Sequence, residues 1–478
     1  MKRPSALGTL YSEIQPVDKY KTRFSFKHIL HKGWIINPGT YFKLGLKPYK
    51  QPKDPVAEGY FRNHVLQSAF VVPTELNYTT AVLGFDNLPK LPNDPMLKLA
   101  IDYVMRMVGE VIPKHTPSYN MPLDVDMSTS PGIGLNLYFK SKGDVPMKIV
   151  NDIMDNQVKD YIWSLKMKKE ILPLKKIVQD NKMRSFMMPP YPYLLWQKIF
   201  SYKFNLYFRN VKWSAYGFNY HYRGFHELFT KLNQFPNKRM KDVRYWDKRF
   251  PFKEICTNIR RYFLNLTPDE ERIFHQIKMQ EINPTVLLPT GEVIQFQGVA
   301  QCSGSEDTTV DNTLAHQILT YYEILTYFYE KGYKPPTYEE IHENFFGSFY
   351  SDDDVSSFTD TFFFLADGNR TASIFQRFGL DIPYTDPEKW LVTKDVTALT
   401  FLGMSCKLYR NYFVPYFSYN KVKDAAILSD LKTPDEKLEV YLSLLSLLTH
   451  NEPHEYKEFR SFILYFCEHY YLNKPIIP

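Results

Sequence analysis

The sequence contains few cysteines, and none stands at a spacing that would suit a structural metal site. Four cysteines occur in 478 residues, far apart at Cys256, Cys302, Cys406 and Cys467. None of them forms a CxxC pair, and no histidine spacing suits zinc. We therefore expect free thiols in a reducing compartment rather than disulfides or a structural zinc ion.

Long apolar runs, internal repeats and low-complexity blocks are also missing. No stretch approaches the roughly 20 apolar residues of a membrane-spanning helix, and the N-terminal letters MKRPSALGTLYSEIQP turn polar too early for a signal peptide. We expect a soluble chain without an intrinsic membrane segment. Hydrophobic residues make up 44% and charged residues 23%, which argues against disorder and favours a folded chain.

Aromatic side chains and a mild positive charge stand out in what is present. Tyr and Phe number 36 each, and 59 basic against 52 acidic residues give a formal net charge of +7. Aromatic faces can stack on bases, but most of these rings are expected in the core. The charge suits a polyanionic partner only if it is concentrated in one channel.

The order of predicted elements favours an α+β fold with one central antiparallel sheet. Residues 1–60, rich in Pro, Lys and Tyr, resemble an extended arm. Amphipathic patterns and capping signals predict helices over 95–112, 147–170, 253–264, 268–280, 306–329 and after 430. Hairpins are predicted over 287–297 and 344–358. This alternation is the basis for the α+β assignment.

The strongest chemical signal is a run of aspartates between two apolar strands. Residues 344–350 lead through Ser351 into Asp352, Asp353 and Asp354. Adjacent carboxylates at a tight turn raise each other's pKa. A divalent cation such as Mg²⁺ between them would remove that repulsion. A solvated acidic turn is the alternative.

Two further carboxylates, Asp242 and Asp247, lie upstream in the sequence. If Asp242 ends a strand beside the hairpin, it supplies the second wall of a site for two metal ions. Two such ions can activate an attacking hydroxyl and stabilise a leaving oxyanion. Simple pairing with basic neighbours such as Lys241 and Arg244 is the alternative.

A serine–glycine turn opens the long helix predicted over 306–329. Thr308 and Asn312 follow Ser303 and Gly304, and their spacing of four places them on one helix face. The turn would let the backbone approach a nucleic acid, and the polar face offers hydrogen bonds to a sugar. The alternative is a helix whose hydroxyl groups only cap its own N-terminus.

A basic segment precedes the first of these carboxylate motifs. Its cations are Lys166, Lys168, Lys169, Lys175, Lys176, Lys182 and Arg184. Triphosphate binding needs several fixed cations, whereas a solvated lysine face is the commoner explanation of such a run. Its position before the first carboxylates favours the triphosphate-binding interpretation.

In this order, the segments resemble the polymerase motifs of positive-strand RNA viruses over roughly residues 120–410. Asp242 and Asp247 match motif A, and Ser351-Asp352-Asp353 stands where motif C usually has Gly-Asp-Asp. The remaining matches are Ser130, Pro131 and Gly132 in the template loop (motif G); Lys175, Lys176, Lys182 and Arg184 in the basic finger (motif F); Ser303, Gly304, Thr308 and Asn312 in motif B; Phe378 to Lys389 in motif D; and Phe401, Leu402 and Gly403 in the primer-grip hairpin (motif E).

Within the picornavirus-like supergroup, the chain most resembles astrovirus-type polymerases, although partitivirus-like enzymes share the Phe-Leu-Gly and Ser-Gly elements. Three features depart from the pattern. Serine replaces the first glycine at Ser351, Asp354 adds a third acid, and Lys248-Arg249 replaces the Gly-Thr that follows motif A in astroviruses. None of these changes removes a matching metal ligand.

The resemblance implies a closed right-hand RNA-dependent RNA polymerase. Fingers with an N-terminal arm would span 1–239 and 255–298, the palm 240–254 and 299–405, and the thumb 406–478. Contacts between fingers and thumb would close the hand. Asp242 and Asp352, assisted by Asp353, would ligate two Mg²⁺ or Mn²⁺ ions.

The resemblance also implies the roles of the other residues. Arg184 and the nearby lysines would hold the incoming NTP, and Lys389, with Lys394 as a rival, would protonate pyrophosphate. Asp247, Ser303, Thr308 and Asn312 would read the ribose 2′-hydroxyl. Template and primer would contact Ser130, Pro131, Gly132, Gly304, Phe401, Leu402 and Gly403.

The implied partners are an RNA template, the nascent RNA strand and NTPs. A genome-linked protein primer and other viral replicase proteins are further candidates. The implied location is the host cytoplasm, at membrane-associated replication complexes.

Two rival functions stay open. Tyr350-Ser-Asp-Asp also satisfies the Y-x-D-D pattern of reverse transcriptases, but those enzymes usually carry a bulky aromatic residue at the position of Asp247 and have no equivalent of Asn312. The chain could instead be a non-catalytic RNA-binding replication protein. The presence of Asp242, Asp352 and Arg184 argues against that interpretation.

Overall fold

The structure is a computed structural model. It describes residues 14–19, 24–29, 51–71, 91–119, 125–155, 160–178, 184–221, 223–244, 246, 248–287, 293–296, 301–473 and 475. Lys182 and Asp247, both predicted to contact the nucleotide, lie outside the described residues, as do residues 288–292 of the hairpin predicted over 287–297.

Helices begin at the capping signals that the sequence carries. The side chains of Asp94 and Thr267 accept hydrogen bonds from backbone N–H groups of the first turn, and Glu270 completes a capping box with Thr267. The helices are α1 Pro55–Tyr60, α2 Pro95–Gly109, α3 Met147–Asp155, α4 Leu174–Val178, α5 Tyr191–Phe208, α6 Gly224–Leu232, α7 Lys253–Phe263, α8 Pro268–Ile282, α9 Thr308–Glu330, α10 Tyr338–Asn344, α11 Gly368–Gln376, α12 Tyr419–Ile427, α13 Pro434–Leu447 and α14 Pro453–His469.

The described strands form separate sheets, paired antiparallel except where β4 meets β8. The strands are β1 Ile14–Lys19, β2 Phe24–Ile29, β3 Ser68–Phe70, β4 Ile162–Met167, β5 Ile171–Pro173, β6 Ser185–Met188, β7 Asn237–Lys241, β8 Thr285–Leu287, β9 Val293–Phe296, β10 Phe345–Tyr350, β11 Asp353–Phe358, β12 Trp390–Thr393, β13 Thr400–Phe401, β14 Met404–Tyr409 and β15 Tyr412–Tyr416. Their orders are β1-β2-β9-β8-β4-β6, β10-β11-β7-β12, β13-β14-β15 and β3-β5.

Helix α9 lies at the centre of the largest hydrophobic core. Every residue from 310 to 326 is buried, because α2, α7 and strand β10 all pack against it. A helix that is buried on every side has no face in water, so its polar side chains need partners inside the protein. The start of α9 is thereby held rigidly beside the β10–β11 hairpin.

Residues 51–71 pack against the C-terminal helices. Val56, Ala57 and Phe61 enter the same core as side chains of α12, α13 and α14. The buried carboxylate of Asp54 lies 2.7 Å from Nζ of Lys437. Residues 51–71 and the C-terminal helices therefore share one core.

The structure confirms the predicted mixture of helices and sheets, but not every boundary. The helix predicted over 147–170 is wrong in its second half, because residues 162–167 form β4, which pairs with β6 and β8. The four cysteines are free, as predicted, and all four are buried. Among the described residues, no helix has the length and apolar character needed to span a bilayer.

Candidate active site

Sheet register places two of the predicted metal ligands level with each other. Lys241, the last residue of β7, pairs with Asp354 of the antiparallel strand β11. Extending this register by one residue sets Asp242 level with Asp353. The two carboxylate segments, far apart in sequence, thus meet at one end of the four-stranded sheet.

The β10–β11 turn is attached to helix α9 by three hydrogen bonds. Ser351 Oγ accepts from Asn312 Nδ2 at 2.8 Å, and Ser351 N donates to Thr313 Oγ1 at 3.1 Å. His316 Nδ1 lies 3.0 Å from the Ser351 carbonyl oxygen. Because α9 is fixed in the core, these contacts fix the turn that carries Asp352.

Asp354 differs from its two acidic neighbours because it is paired. Its buried carboxylate forms an ion pair with the buried ammonium of Lys241, and His316 Nε2 lies 3.3 Å away. Burial alone would raise the pKa of Asp354. The Lys241 charge and the contact with His316 outweigh burial and hold that pKa well below its usual range.

Asp353 carries the opposite shift. Burial raises its pKa to about 7, the charges of Asp352 and Asp354 add to the rise, and the Arg184 guanidinium lowers it. Ionising Asp353 therefore costs free energy that a bound cation would offset. Of the described residues of the basic segment, Arg184 is the one whose charge acts on Asp353.

The oxygen atoms of these carboxylates are the kind of ligand that a hard divalent cation prefers. Mg²⁺ prefers oxygen ligands and commonly takes one or two carboxylates, completing its shell with water and phosphate oxygens. Within the described part of the chain, no group of three His, Cys, Asp or Glu side chains could hold a metal ion. The protein's carboxylates fit such an ion only if a substrate or water supplies further oxygens.

Lys389 lies directly at this site. Its ammonium forms an ion pair with the Asp242 carboxylate, and its carbonyl oxygen accepts from Asp242 N at 2.8 Å. Lys394 follows the far end of β12, where its carbonyl accepts from Lys238 Nζ at 2.9 Å. The structure thus brings Lys389, and not Lys394, beside a predicted metal ligand.

Gly304 has no room for a side chain, because the backbone of Met187 lies against it. Its N–H donates to the Met187 carbonyl at 3.1 Å, and a Cβ on Gly304 would lie 2.3 Å from that oxygen. Strand β6 therefore packs directly on the serine–glycine turn. The backbone of this turn was expected to approach a nucleic acid, and in the structure it approaches Met187 of the same chain. Ser303 is exposed.

The hydroxyl of Thr308 is used within the turn. It lies 2.9 Å from both the Cys302 and the Ser305 carbonyl oxygens. This matches the local, capping alternative for the segment. A contact between Thr308 and the sugar stays a prediction.

A balanced cluster of buried charges lies behind this turn, and sequence reasoning missed it. Lys253 and Arg260 of α7 each approach Asp311 to 2.7 Å, and Lys278 of α8 lies 3.0 Å from Glu281. Lys278 also pairs with Asp307. Three cations and three anions, all at most 2% exposed, attach the start of α9 to α7 and α8. A hydropathy pattern does not reveal these residues, because it predicts that charged side chains are exposed.

The basic segment is only partly at the site. Arg184 Nε lies 2.9 Å and 3.0 Å from the two carboxylate oxygens of Glu170. Lys175 and Lys176 lie on the short helix α4 and form no ion pair with any described residue. Their contact with a triphosphate stays a prediction.

The two predicted template and primer segments are both turns. Gly132 has φ +82°, and a Cβ there would lie 2.7 Å from Pro190 Cα, while the Pro131 carbonyl accepts from Tyr191 N. The loop 130–132 thus packs on the start of α5. Leu402 and Gly403, both with positive φ, form the two-residue turn between β13 and β14, with Phe401 buried. The predicted hairpin is confirmed, whereas its contact with RNA stays a prediction.

The chain matches a known protein family along most of its length. Residues 45–471 match the family described as viral RNA-dependent RNA polymerase. Because the match covers most of the chain, the chain belongs to the viral RNA-dependent RNA polymerase family. This confirms the family, and with it the enzyme class, that the motifs predicted.

Two curated relatives are astrovirus proteins. The non-structural polyprotein 1AB of Turkey astrovirus 1 is 26% identical over 320 residues, which cover 62% of this chain and 19% of that protein. The polyprotein 1AB of Turkey astrovirus 2 is 34% identical over 102 residues, covering 21% of this chain and 6% of that protein. The chain therefore spans less than a fifth of the length of either relative.

Proposed function

We propose that this chain copies viral RNA by nucleotidyl transfer with two divalent metal ions. The observation that carries the proposal is the sheet register that sets Asp242 level with Asp353, beside the turn that holds Asp352. Family membership supplies the reaction class. The meeting of these carboxylates, close to the Arg184 charge, supplies a place for that reaction.

In this proposal Asp242, Asp352 and Asp353 hold Mg²⁺ or Mn²⁺. When bound, the two ions would lower the pKa of the primer 3′-hydroxyl and neutralise the leaving pyrophosphate. Arg184, with Lys175, Lys176 and Lys182, binds the triphosphate through charge-assisted hydrogen bonds. Lys389, already beside Asp242, gives a proton to the pyrophosphate.

The same proposal assigns the regions of a right hand. The proposed regions are fingers at 1–239 and 255–298, a palm at 240–254 and 299–405 and a thumb at 406–478. Strand β7 crosses the first of these boundaries and pairs with β11 along its whole length. Closure of the hand is supported by the packing of residues 51–71 on the C-terminal helices. An ion pair between Lys169 and Asp430 joins the same two regions.

Sugar choice in this proposal depends on Asp247 and Asn312, with Ser303 and Thr308 nearby in sequence. Template and primer would contact the 130–132 loop, Gly304 and the hairpin at 401–403. The partners would be RNA, NTPs, a protein primer and other replicase proteins. The location would be membrane-associated replication complexes in the host cytoplasm.

Replacing the metal-binding carboxylates tests the proposal. Asp242→Ala and Asp352→Ala should each reduce RNA synthesis below about 1% of wild type, because lost charge stabilisation costs several kcal/mol. Thermal unfolding should stay close to that of wild type, since neither change opens a core cavity. Asp102→Ala, an exposed aspartate on α2, is the matched control and should keep full activity. Substantial synthesis by either site variant would contradict the assignment of ligands.

A further inference from the structure

Ser351 adopts a backbone conformation that serine rarely takes. Its φ is +61°, in the left-handed region that glycine enters without steric cost. The residue lies in the turn between β10 and β11, directly before Asp352. A serine held in this conformation must be compensated by contacts of its own.

One of its three contacts depends on the serine side chain. The hydrogen bonds to Thr313 and His316 involve the backbone N–H and carbonyl of Ser351, so any residue could make them. The third joins Ser351 Oγ to Asn312 Nδ2 at 2.8 Å. Substitution of Ser351 therefore removes one identified contact and leaves the attachment of the turn to α9 in place.

The other end of the Asn312 amide is buried and unsatisfied. Asn312 is only 3% exposed, and its Oδ1 has no hydrogen-bond partner among the described residues. Buried polar atoms are seldom left unpaired in folded proteins. The acceptor is Asn312 Oδ1, and the same amide contacts Ser351 in the turn that carries Asp352. This acceptor suits a hydroxyl donor that comes from outside the chain.

We propose that Ser351 is a positioning residue for sugar selection. Its hydroxyl holds Nδ2 of Asn312 and thereby fixes the amide with Oδ1 free to accept from the ribose 2′-hydroxyl. Without Oγ the amide can rotate and present either end to the sugar, so the site distinguishes ribose from deoxyribose less well. This inference rests on the proposed function, in which Asn312 reads the sugar.

Two substitutions distinguish the effect of losing the Ser351 hydroxyl from the effect of relieving its backbone strain. Ser351→Ala removes Oγ and keeps the Cβ, whereas Ser351→Gly removes Oγ and also relieves the left-handed strain, so its folding is secure. We expect both to lower the ratio of ribo- to deoxynucleotide incorporation by about fivefold, the effect of one hydrogen bond of ordinary strength. Ser356→Ala, which removes a buried hydroxyl without a described partner on β11, is the control and should leave the ratio unchanged. A change in Ser351→Gly alone would implicate backbone strain and overturn the proposal.

A double-mutant comparison with Asn312→Ala completes the test. If Ser351 acts through Asn312, Ser351→Ala should have no further effect on the ratio once Asn312 is alanine. Independent, multiplicative effects would overturn the coupling. An unchanged ratio in Asn312→Ala itself would refute the proposed sugar sensor, whereas a changed ratio there and none in Ser351→Ala would refute only the positioning role.

Discussion

At the scale of single residues, Asp354 differs from Asp352 and Asp353. Those two are predicted to bind metal ions, whereas Asp354 contacts a lysine. Its carboxylate pairs with Lys241, and both side chains are fully buried. A third acid after the two expected ones is therefore explained by a lysine at the end of β7. Asp354 balances a buried charge, and the Lys241 ammonium keeps it ionised.

Removing this charge should destabilise the fold. Asp354→Asn leaves the buried Lys241 ammonium without a counter-charge, and breaking a buried pair in this way costs roughly 3–5 kcal/mol in the free energy of unfolding. Urea unfolding measures the difference. Asp352→Asn serves as the comparison, with an expected change within about 1 kcal/mol. Equal stability of the two variants would show that Asp354 has no structural role.

At the scale of elements, helix α4 and the residues after it provide the test of nucleotide binding. Lys175 and Lys176 lie on α4, and Arg184 follows just before β6. Among the described residues of this basic segment, Arg184 is the one shown to lower the pKa of Asp353. The proposal assigns these lysines to the nucleotide, and the template path is the alternative.

Neutralising both lysines should affect the nucleotide more than the template. Lys175→Ala combined with Lys176→Ala is expected to raise the KM for NTPs several-fold, because fixed cations hold the triphosphate. Template affinity, which phosphate contacts make strongly salt-dependent, should change less. The control pair is Lys331→Ala with Lys334→Ala, both exposed after α9. A larger loss of template affinity than of nucleotide affinity would assign α4 to the template path.

Elements with local signals could be predicted from the sequence, and those without them could not. Helix α8 was predicted from its capping box, and the β10–β11 hairpin from two apolar runs around acids. Strand β4 was missed because its identity comes from pairing with β6 and β8, both distant in sequence. The buried partners of Asp311 and Ser351 were missed for the same reason.

At the scale of the whole molecule, the N-terminal and C-terminal parts of the described chain depend on each other. Phe61 packs with Phe459 and Phe462, at ring-centroid separations of 6.0 Å and 4.9 Å. Hydrophobic periodicity predicts that each segment has an apolar face, but it cannot say which distant segment covers that face. This contact supports the proposal of a closed hand, in which fingers and thumb would surround one RNA channel.

The most direct test of the central claim is nucleotide incorporation on a homopolymeric RNA template with Mg²⁺. The account predicts that the complementary ribonucleotide is incorporated in preference to the deoxynucleotide, that chelation of Mg²⁺ stops synthesis, and that Asp352→Ala is inactive. RNA binding without any incorporation would contradict it and favour a non-catalytic replication protein. Preferred incorporation of the complementary deoxynucleotide would contradict it equally and identify a reverse transcriptase.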